Sequence, residues 1–407
     1  MHTSPTAALG VSANGGMNVY VQQVCQAFSG CGIATDVFTI RRDADDPMLE
    51  QMAPLSRVAH LPLPGADADK YSLLSSVDEF ADGVLEFAAR EGIEYDLVYS
   101  HYWLSGLVAD AVAGDLGLSW VHTAHTLGVV KNRRLAPGAR PEPEKRLLAE
   151  RSIARSADLQ IASTASEAEE LVSLLGAQPE AVTVVAPGVD LSLFRPQNRA
   201  AAKRRIGYPG LPLLVFVGRL ERLKGVEIIL RALAHVRTRF PKVRLLVLGE
   251  DSRDATESEK ERLKELAEEL QIAERVEFLG SVAHHELPNF YAAADACLMP
   301  SYSESFGLVG LEAQACGCPV IASNVAGLAS VVRDGVTGFL IERSDAKAYA
   351  ARIEELLQDP DLADQMGRRG ILLAQRFPWA HTADRIWAAM EPLLRPTARE
   401  ATSTPSL

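Results

Sequence analysis

The chain has 407 residues, 47% apolar and 23% charged, with 53 acidic against 41 basic side chains and a formal net charge of −12. This is the balance of a globular protein of about two domains, and the acidic surplus excludes general nucleic-acid binding, which needs a basic face. The longest apolar runs are strand-length, too short for a membrane-spanning helix.

In chain order, the first element is "NGGMNVYVQQVCQAF". Two adjacent glycines, Gly15 and Gly16, precede an apolar run of helical spacing. They form either a tight turn or a loop that offers backbone amides to an anion at a helix N-terminus. A strand-to-helix loop needs a strand before it, and only a few residues precede this one. An upstream strand of about five to eight residues is therefore expected. Strands follow at 35–40, 95–100, 119–125, 159–163 and 182–187, with a helix over 73–91 whose Leu73, Leu74, Val77, Ala81, Val84, Leu85 and Ala88 form one stripe. A Pro- and Gly-containing stretch near 190–200 then separates a second series. Its strands are expected at 211–218, 243–249, 275–280, 296–301, 318–323 and 338–341, with a helix at 225–240.

Apolar, β-branched runs without alternation indicate parallel strands buried on both faces. Alternating βα units then predict an α/β protein of two Rossmann-like, doubly wound parallel-sheet domains facing a cleft. The expected division is a first domain over 1–190, a second over 197–375, a helical segment over 376–395 and a tail over 396–407. The five cysteines, Cys25, Cys31, Cys297, Cys316 and Cys318, include no C-x-x-C pair, and no basic-then-apolar leader pattern stands at the start. Reduced thiols in the cytoplasm are the expectation.

Four loops carry candidate chemistry. "VGRLERLKG" puts Arg219 and Lys224 at a strand end, where two cations suit a diphosphate or form a solvated basic loop. "PSYSESFGLVGLE" places Glu304 before a helix expected from about Phe306, with Gly307 in its first turn and Glu312 two turns in. Glycine there allows close approach of an anionic oxygen to the amides, and the two carboxylates suit hydroxyl groups. Capping serines and a surface glutamate are the plainer alternative, and a glycosidase pair the weaker one. "SHYWLSG" and "HTAHTLGVVKNRR" concentrate His101, Tyr102, His122, His125 and Thr126 at consecutive strand ends. Finally, 131–155 carries Lys131, Arg133, Arg134, Arg140, Lys145, Arg146, Arg151 and Arg155, either a solvated face or a site for a phosphorylated ligand.

In this order and spacing the loops resemble the GT-B glycosyltransferases of family 4, whose E-x7-E signature stands here as "ESFGLVGLE". Within that family "HTSP", "GGMNVYV", "SHYWLSG" and "HTAHTLGVVKN" are similar to the D-inositol-3-phosphate glycosyltransferases. The resemblance implies a retaining hexosyltransferase that moves N-acetylglucosamine or glucose from a UDP-sugar, UDP-GlcNAc first, to inositol phosphate. Transfer to fructose 6-phosphate, or nucleotide-sugar binding without turnover, are the alternatives. It implies donor contacts at Gly15, Gly16, Arg219, Lys224, Val282, Glu304, Phe306, Gly307, Leu308 and Glu312. Acceptor contacts fall on His2, Asn18, Lys70, Tyr102, Thr126 and Arg146. Catalytic roles fall on His125, Arg219, Lys224 and Glu304. A Mg²⁺ ion is allowed for but not required, and a homodimer is a possible assembly. The proline-rich "APGARPEPEK" has no counterpart in the pattern.

Overall fold

The computed structural model describes residues 1, 3–6, 15–43, 45–63, 69–252, 257–342 and 345–394. His2 and the polar stretch before Gly15 lie outside the described residues.

The N-terminal half holds β1 (Thr35–Arg41), β2 (Leu49–Ala53), β3 (Ser56–Pro62), β4 (Val98–His101), β5 (Trp120–Thr123), β6 (Leu159–Ala162) and β7 (Val182–Val184). Strands β4-β5-β6-β7 form a parallel sheet and β1-β3-β2 a second, mixed one. In the second sheet β2 runs antiparallel to β3, a hairpin absent from the sequence expectation. The reason is local: β2, "LEQMA", buries only Ala53 and reads as a polar segment. The helix Val77–Glu91 has Asp78 and Glu79 in its first turn and a left-handed Gly92 as its C-cap, so its ends are stopped by ordinary means.

The C-terminal half holds β8 (Leu213–Val217), β9 (Arg244–Leu248), β10 (Val276–Gly280), β11 (Ala296–Met299), β12 (Val320–Ser323) and β13 (Gly338–Ile341). They pair in parallel in the order β10-β9-β8-β11-β12-β13. This is the doubly wound order, and its direction reverses between β8 and β11. Alternate residues of one strand feed opposite faces. Leu214 and Phe216 join the core under the helix Val226–Val236. Leu213 and Val215 join the core under the helices Leu287–Ala293 and Leu308–Ala315. Strands buried on both faces in this way carry no polar side, which is why they read as unbroken apolar runs.

The last long helix, Trp379–Met390, packs on the first, Gly16–Gly30, through Ala383, Ile386 and Met390 against Val19, Val24 and Phe28. Tyr20 meets Trp379 edge-on at 5.6 Å, and Thr382 donates to the Ala186 carbonyl at 2.9 Å. Gly188 is forced by this crossing, because a Cβ there would lie 2.7 Å from the Trp379 backbone nitrogen. Leu308 packs into the core of the C-terminal sheet and into the cluster around the first helix. The two halves thus touch at the foot of the cleft.

Candidate active site

A cavity of about 1600 Å³ opens between the halves, lined from both. On the C-terminal wall the loops after β8 and β11 are neighbours because the sheet reverses there, the place where open α/β sheets bind ligands. Gly225, at φ 66°, fits where a Cβ would fall 2.3 Å from the Pro300 carbonyl oxygen, and the Tyr302 amide donates to the Leu223 carbonyl at 2.9 Å. These contacts bring Lys224 Nζ to 2.6 Å from Glu304 Oε2. Arg219 pairs with Glu221 at 3.2 Å. Burial alone would raise the Glu221 carboxyl, but Arg219, Lys131, Lys224 and Lys70 hold it below its ordinary range. Cations from both walls therefore converge on one carboxylate.

The helix of the E-x7-E segment starts at Leu308, two residues later than its sequence suggests. Gly307 is its N-cap at φ 101°, a left-handed conformation that favours glycine, and a Cβ there would lie 2.7 Å from Leu328 Cδ2. Phe306 is buried, 6.2 Å from the Phe377 ring, so much of its side chain serves the core. Glu312 is buried between His284 Nε2 and Tyr291 Oη, each at 3.0 Å. Burial disfavours the His284 imidazolium, but the hydrogen bond and charge of Glu312 outweigh it and raise its pKa. A carboxylate has about four acceptor positions, so Glu312 keeps capacity towards the cavity that it lines with Val282 and His284.

On the N-terminal wall, Gly15 is extended at φ −147° and needs no glycine for its dihedrals. The requirement is approach: a Cβ on Gly16 would lie 3.1 Å from Leu308 Cδ1, on the opposite wall. Asn18 is buried, accepting from Thr3 Oγ1 at 2.9 Å and donating to the Ser4 carbonyl at 2.7 Å. His125, at φ 58°, lies 3.0 Å from His101 Nδ1 through Nε2 and edge-on to Tyr20. Burial lowers His122 and His125 to about 3, and burial with its histidine neighbours pushes His101 well down. His125 is thus a neutral ring at pH 7, able to share hydrogen bonds with a sugar but not to supply a positive charge.

Arg146 is the hub of the remaining residues. Its guanidinium, fully buried, reaches Tyr102 Oη at 3.0 Å, Thr126 Oγ1 at 2.9 Å and the Thr126 carbonyl at 3.1 Å. It also pairs with Glu150 at 2.7 Å and Glu142 at 3.0 Å. Burial opposes its charge, yet Tyr102, Glu150 and Glu142 more than compensate and raise its pKa. Lys70 lies at the cavity edge with its ammonium 5.1 Å from the Tyr71 ring centre. Of the six implied acceptor residues, Tyr102, Thr126 and Arg146 are thus bonded together, and Lys70 lines the same cavity as Tyr102 and Thr126. The basic stretch 131–155 divides: Arg146 is buried and Lys131 pairs with Glu142 at 2.7 Å, whereas Arg151 and Arg155 are exposed.

Sequence reasoning missed Glu142, Tyr71, Glu150, Glu221 and His284. Glu142, Arg146 and Glu150 stand four apart, the spacing of charge pairs on a helix, although Glu142 lies just before the helix Glu144–Ser156 that carries the other two. Tyr71, Glu221 and His284 carry no such mark. Among the described residues, no group of three or more His, Cys, Asp or Glu is placed to hold a metal ion.

The pattern described as "Glycosyl transferases group 1" matches residues 198–372, and "Glycosyl transferase 4-like domain" matches 15–188. D-inositol 3-phosphate glycosyltransferase of Thermobispora bispora is 42% identical over 95% of this chain and 92% of its own. The same-named protein of Nocardia farcinica is 42% identical over 94% of this chain and 86% of its own. Among solved structures, sucrose-phosphate synthase from Thermosynechococcus elongatus superposes with a TM-score of 0.89, 33% identity and 97% of both chains covered. WaaG, a glycosyltransferase involved in lipopolysaccharide biosynthesis, shares the fold at a TM-score of 0.71 and 18% identity over 93% of this chain and 96% of its own.

Proposed function

This chain belongs to the GT-B glycosyltransferases of family 4, and from that premise we propose that it transfers N-acetylglucosamine, with retention, from UDP-GlcNAc to an inositol phosphate. The observation that carries this reading is one cavity with two polar ends: Arg219, Lys224 and Glu304 on one wall, and Lys70, Tyr102 and Thr126 on the other, with Arg146 buried behind them and bonded to Tyr102 and Thr126. The first set suits a diphosphate and its hexose, the second an acceptor phosphate. The name of the relatives, D-inositol 3-phosphate glycosyltransferase, agrees with the second set.

In the reaction, the bond from the sugar C1 to the diphosphate oxygen breaks and a bond from C1 to the acceptor oxygen forms on the same face. The leaving phosphate oxygen takes the acceptor's proton. Arg219 and Lys224 stabilise the charge that grows on that phosphate, helped by the amides at Gly307 and Leu308. Such preorganised charge is the largest catalytic term in many enzymes. Gly15 and Gly16 close over the diphosphate from the other wall. His125 and Glu304 hold the hexose hydroxyls, Glu312 the ribose, and Val282 lies by the base. Asn18 orders the segment next to the acceptor. Closure of the halves excludes water and suppresses hydrolysis.

A matrix of UDP-GlcNAc and UDP-glucose against inositol 3-phosphate, myo-inositol and fructose 6-phosphate, read by UDP release and product mass, tests this. Turnover with UDP-GlcNAc and inositol 3-phosphate is the expected outcome. The likeness to sucrose-phosphate synthase favours a second reading, transfer to fructose 6-phosphate. Product with that acceptor alone would replace the first.

A further inference from the structure

Resting on the acceptor reading above, we propose that Glu142 is an internal anion that occupies Arg146 until a phosphorylated acceptor displaces it, so that the acceptor enters by exchange of carboxylate for phosphate.

An arginine has five N–H donors and no more. In Arg146 four are in hydrogen bonds: Nε to Glu150, Nη1 to Tyr102 Oη, and Nη2 to the carbonyl and hydroxyl of Thr126. The carboxylate of Glu142 stands beside the remaining Nη1 donor as an ion-pair partner at 3.0 Å. A phosphate oxygen can reach this guanidinium only by displacing a hydrogen-bond partner or by taking the place of Glu142. Two of the partners are built into the fold: Glu150 also accepts from the Gly128 amide at 2.8 Å, and the Thr126 carbonyl is main chain. Of the partners facing the cavity, Glu142 alone is an anion. Exchanging it for a phosphate leaves the charge around Arg146 nearly balanced.

The surroundings of Glu142 resemble those of a bound oxyanion. Lys131 Nζ donates to Oε1 at 2.7 Å, and Tyr71 Oη donates to Oε2 at 2.5 Å. Burial would raise its carboxyl, but Arg146, Lys131 and the two hydrogen bonds bring it down to about 2, so it is fully ionised at neutral pH. Its main chain is fixed independently: the Asn132 side chain accepts from the Glu142 amide at 2.7 Å and donates to its carbonyl at 3.0 Å. The side chain can therefore turn away while the backbone stays. The proline-rich segment that ends here thus has a use in the site: it delivers the carboxylate.

Calorimetric titration of the full-length chain with inorganic phosphate, inositol 3-phosphate and myo-inositol tests the exchange. Glu142→Gln removes the charge but keeps the shape and the Asn132 bonds. It should bind both phosphate probes at least fivefold more tightly and leave myo-inositol unchanged. Glu142→Ala should move affinity in the same direction. If Glu142 merely braces Arg146, both variants bind phosphate more weakly; weaker or unchanged binding overturns the exchange. Lys70→Ala, run beside them, reports on the acceptor reading itself and should weaken binding of both phosphate probes. If it does not, that reading falls and the exchange with it. If Lys70→Ala weakens binding while Glu142→Gln fails to strengthen it, the exchange alone is refuted.

Discussion

On one wall of the cleft the Arg146 side chain has no exposed surface and sits between two carboxylates, Glu142 and Glu150, that neutralise it. On the other, the Arg219 side chain is 44% exposed, and Lys224 is 22% exposed with a single carboxylate, Glu304, at its tip. The buried cluster is a finished piece of structure that a ligand must enter by substitution. Arg219 and Lys224 are loop-borne and more exposed, paired with Glu221 and Glu304. Under the proposed function the same residue types serve discrimination on one side and charge stabilisation on the other, and burial makes the difference.

The comparison can be broken most forcefully at Arg146. Arg146→Met strands two carboxylates in a buried site and should cost about 3–5 kcal/mol of stability, the range for a buried pair that loses one partner. A drop in melting temperature measures it, and an unchanged melting temperature would show that the cluster is not structural. Lys224→Ala should instead leave the melting temperature nearly as it was and lower kcat by roughly 10²–10³, as for loss of one preorganised donor to developing charge. A near-normal kcat would remove the leaving-group role.

The smallest effect belongs to the strand ends beside the buried cluster. His122 and His125, held at about 3, and His101, also well below 6.5, stay neutral in the fold while the unfolded chain takes up protons below about 6.5. Their contribution is complete above that pH and is lost as pH falls from 6.5 towards 3. Glu167, raised to about 7 by burial, acts in the opposite sense between 4.5 and 7, because the folded form keeps a proton that the unfolded form releases. Three groups outweigh one by about two protons, so stability should fall by on the order of 2–3 kcal/mol per pH unit below about 6. Melting curves at pH 7, 6 and 5 check this, and a flat series would contradict it.

Much of the site was legible because its loops follow strands. Apolar runs marked β8 and β11, and residues at their carboxyl ends had to face the cleft. Their place at strand ends marked Arg219, Lys224 and Glu304 as candidates, with a solvated basic loop and a surface glutamate as the alternatives. The adjacency of the two loops was not legible, since it depends on the order of strands in the sheet. Gly16 was legible as a glycine of a candidate ligand loop, but its close approach to Leu308 on the opposite wall was not. Tyr71 and Glu221 were invisible because nothing in their local pattern separates them from surface residues.

By itself the sequence determined the α/β class, the positions of most strands and which loops carry charge, because hydrophobic period and glycine placement are local properties. Only the tertiary structure decided the partners of those charges. Whether Arg146 is free for a ligand or already held by Glu142 depends on which side chains, up to 44 positions apart, meet in one buried pocket. Burial strengthens each of those contacts and makes an unmatched charge there costly.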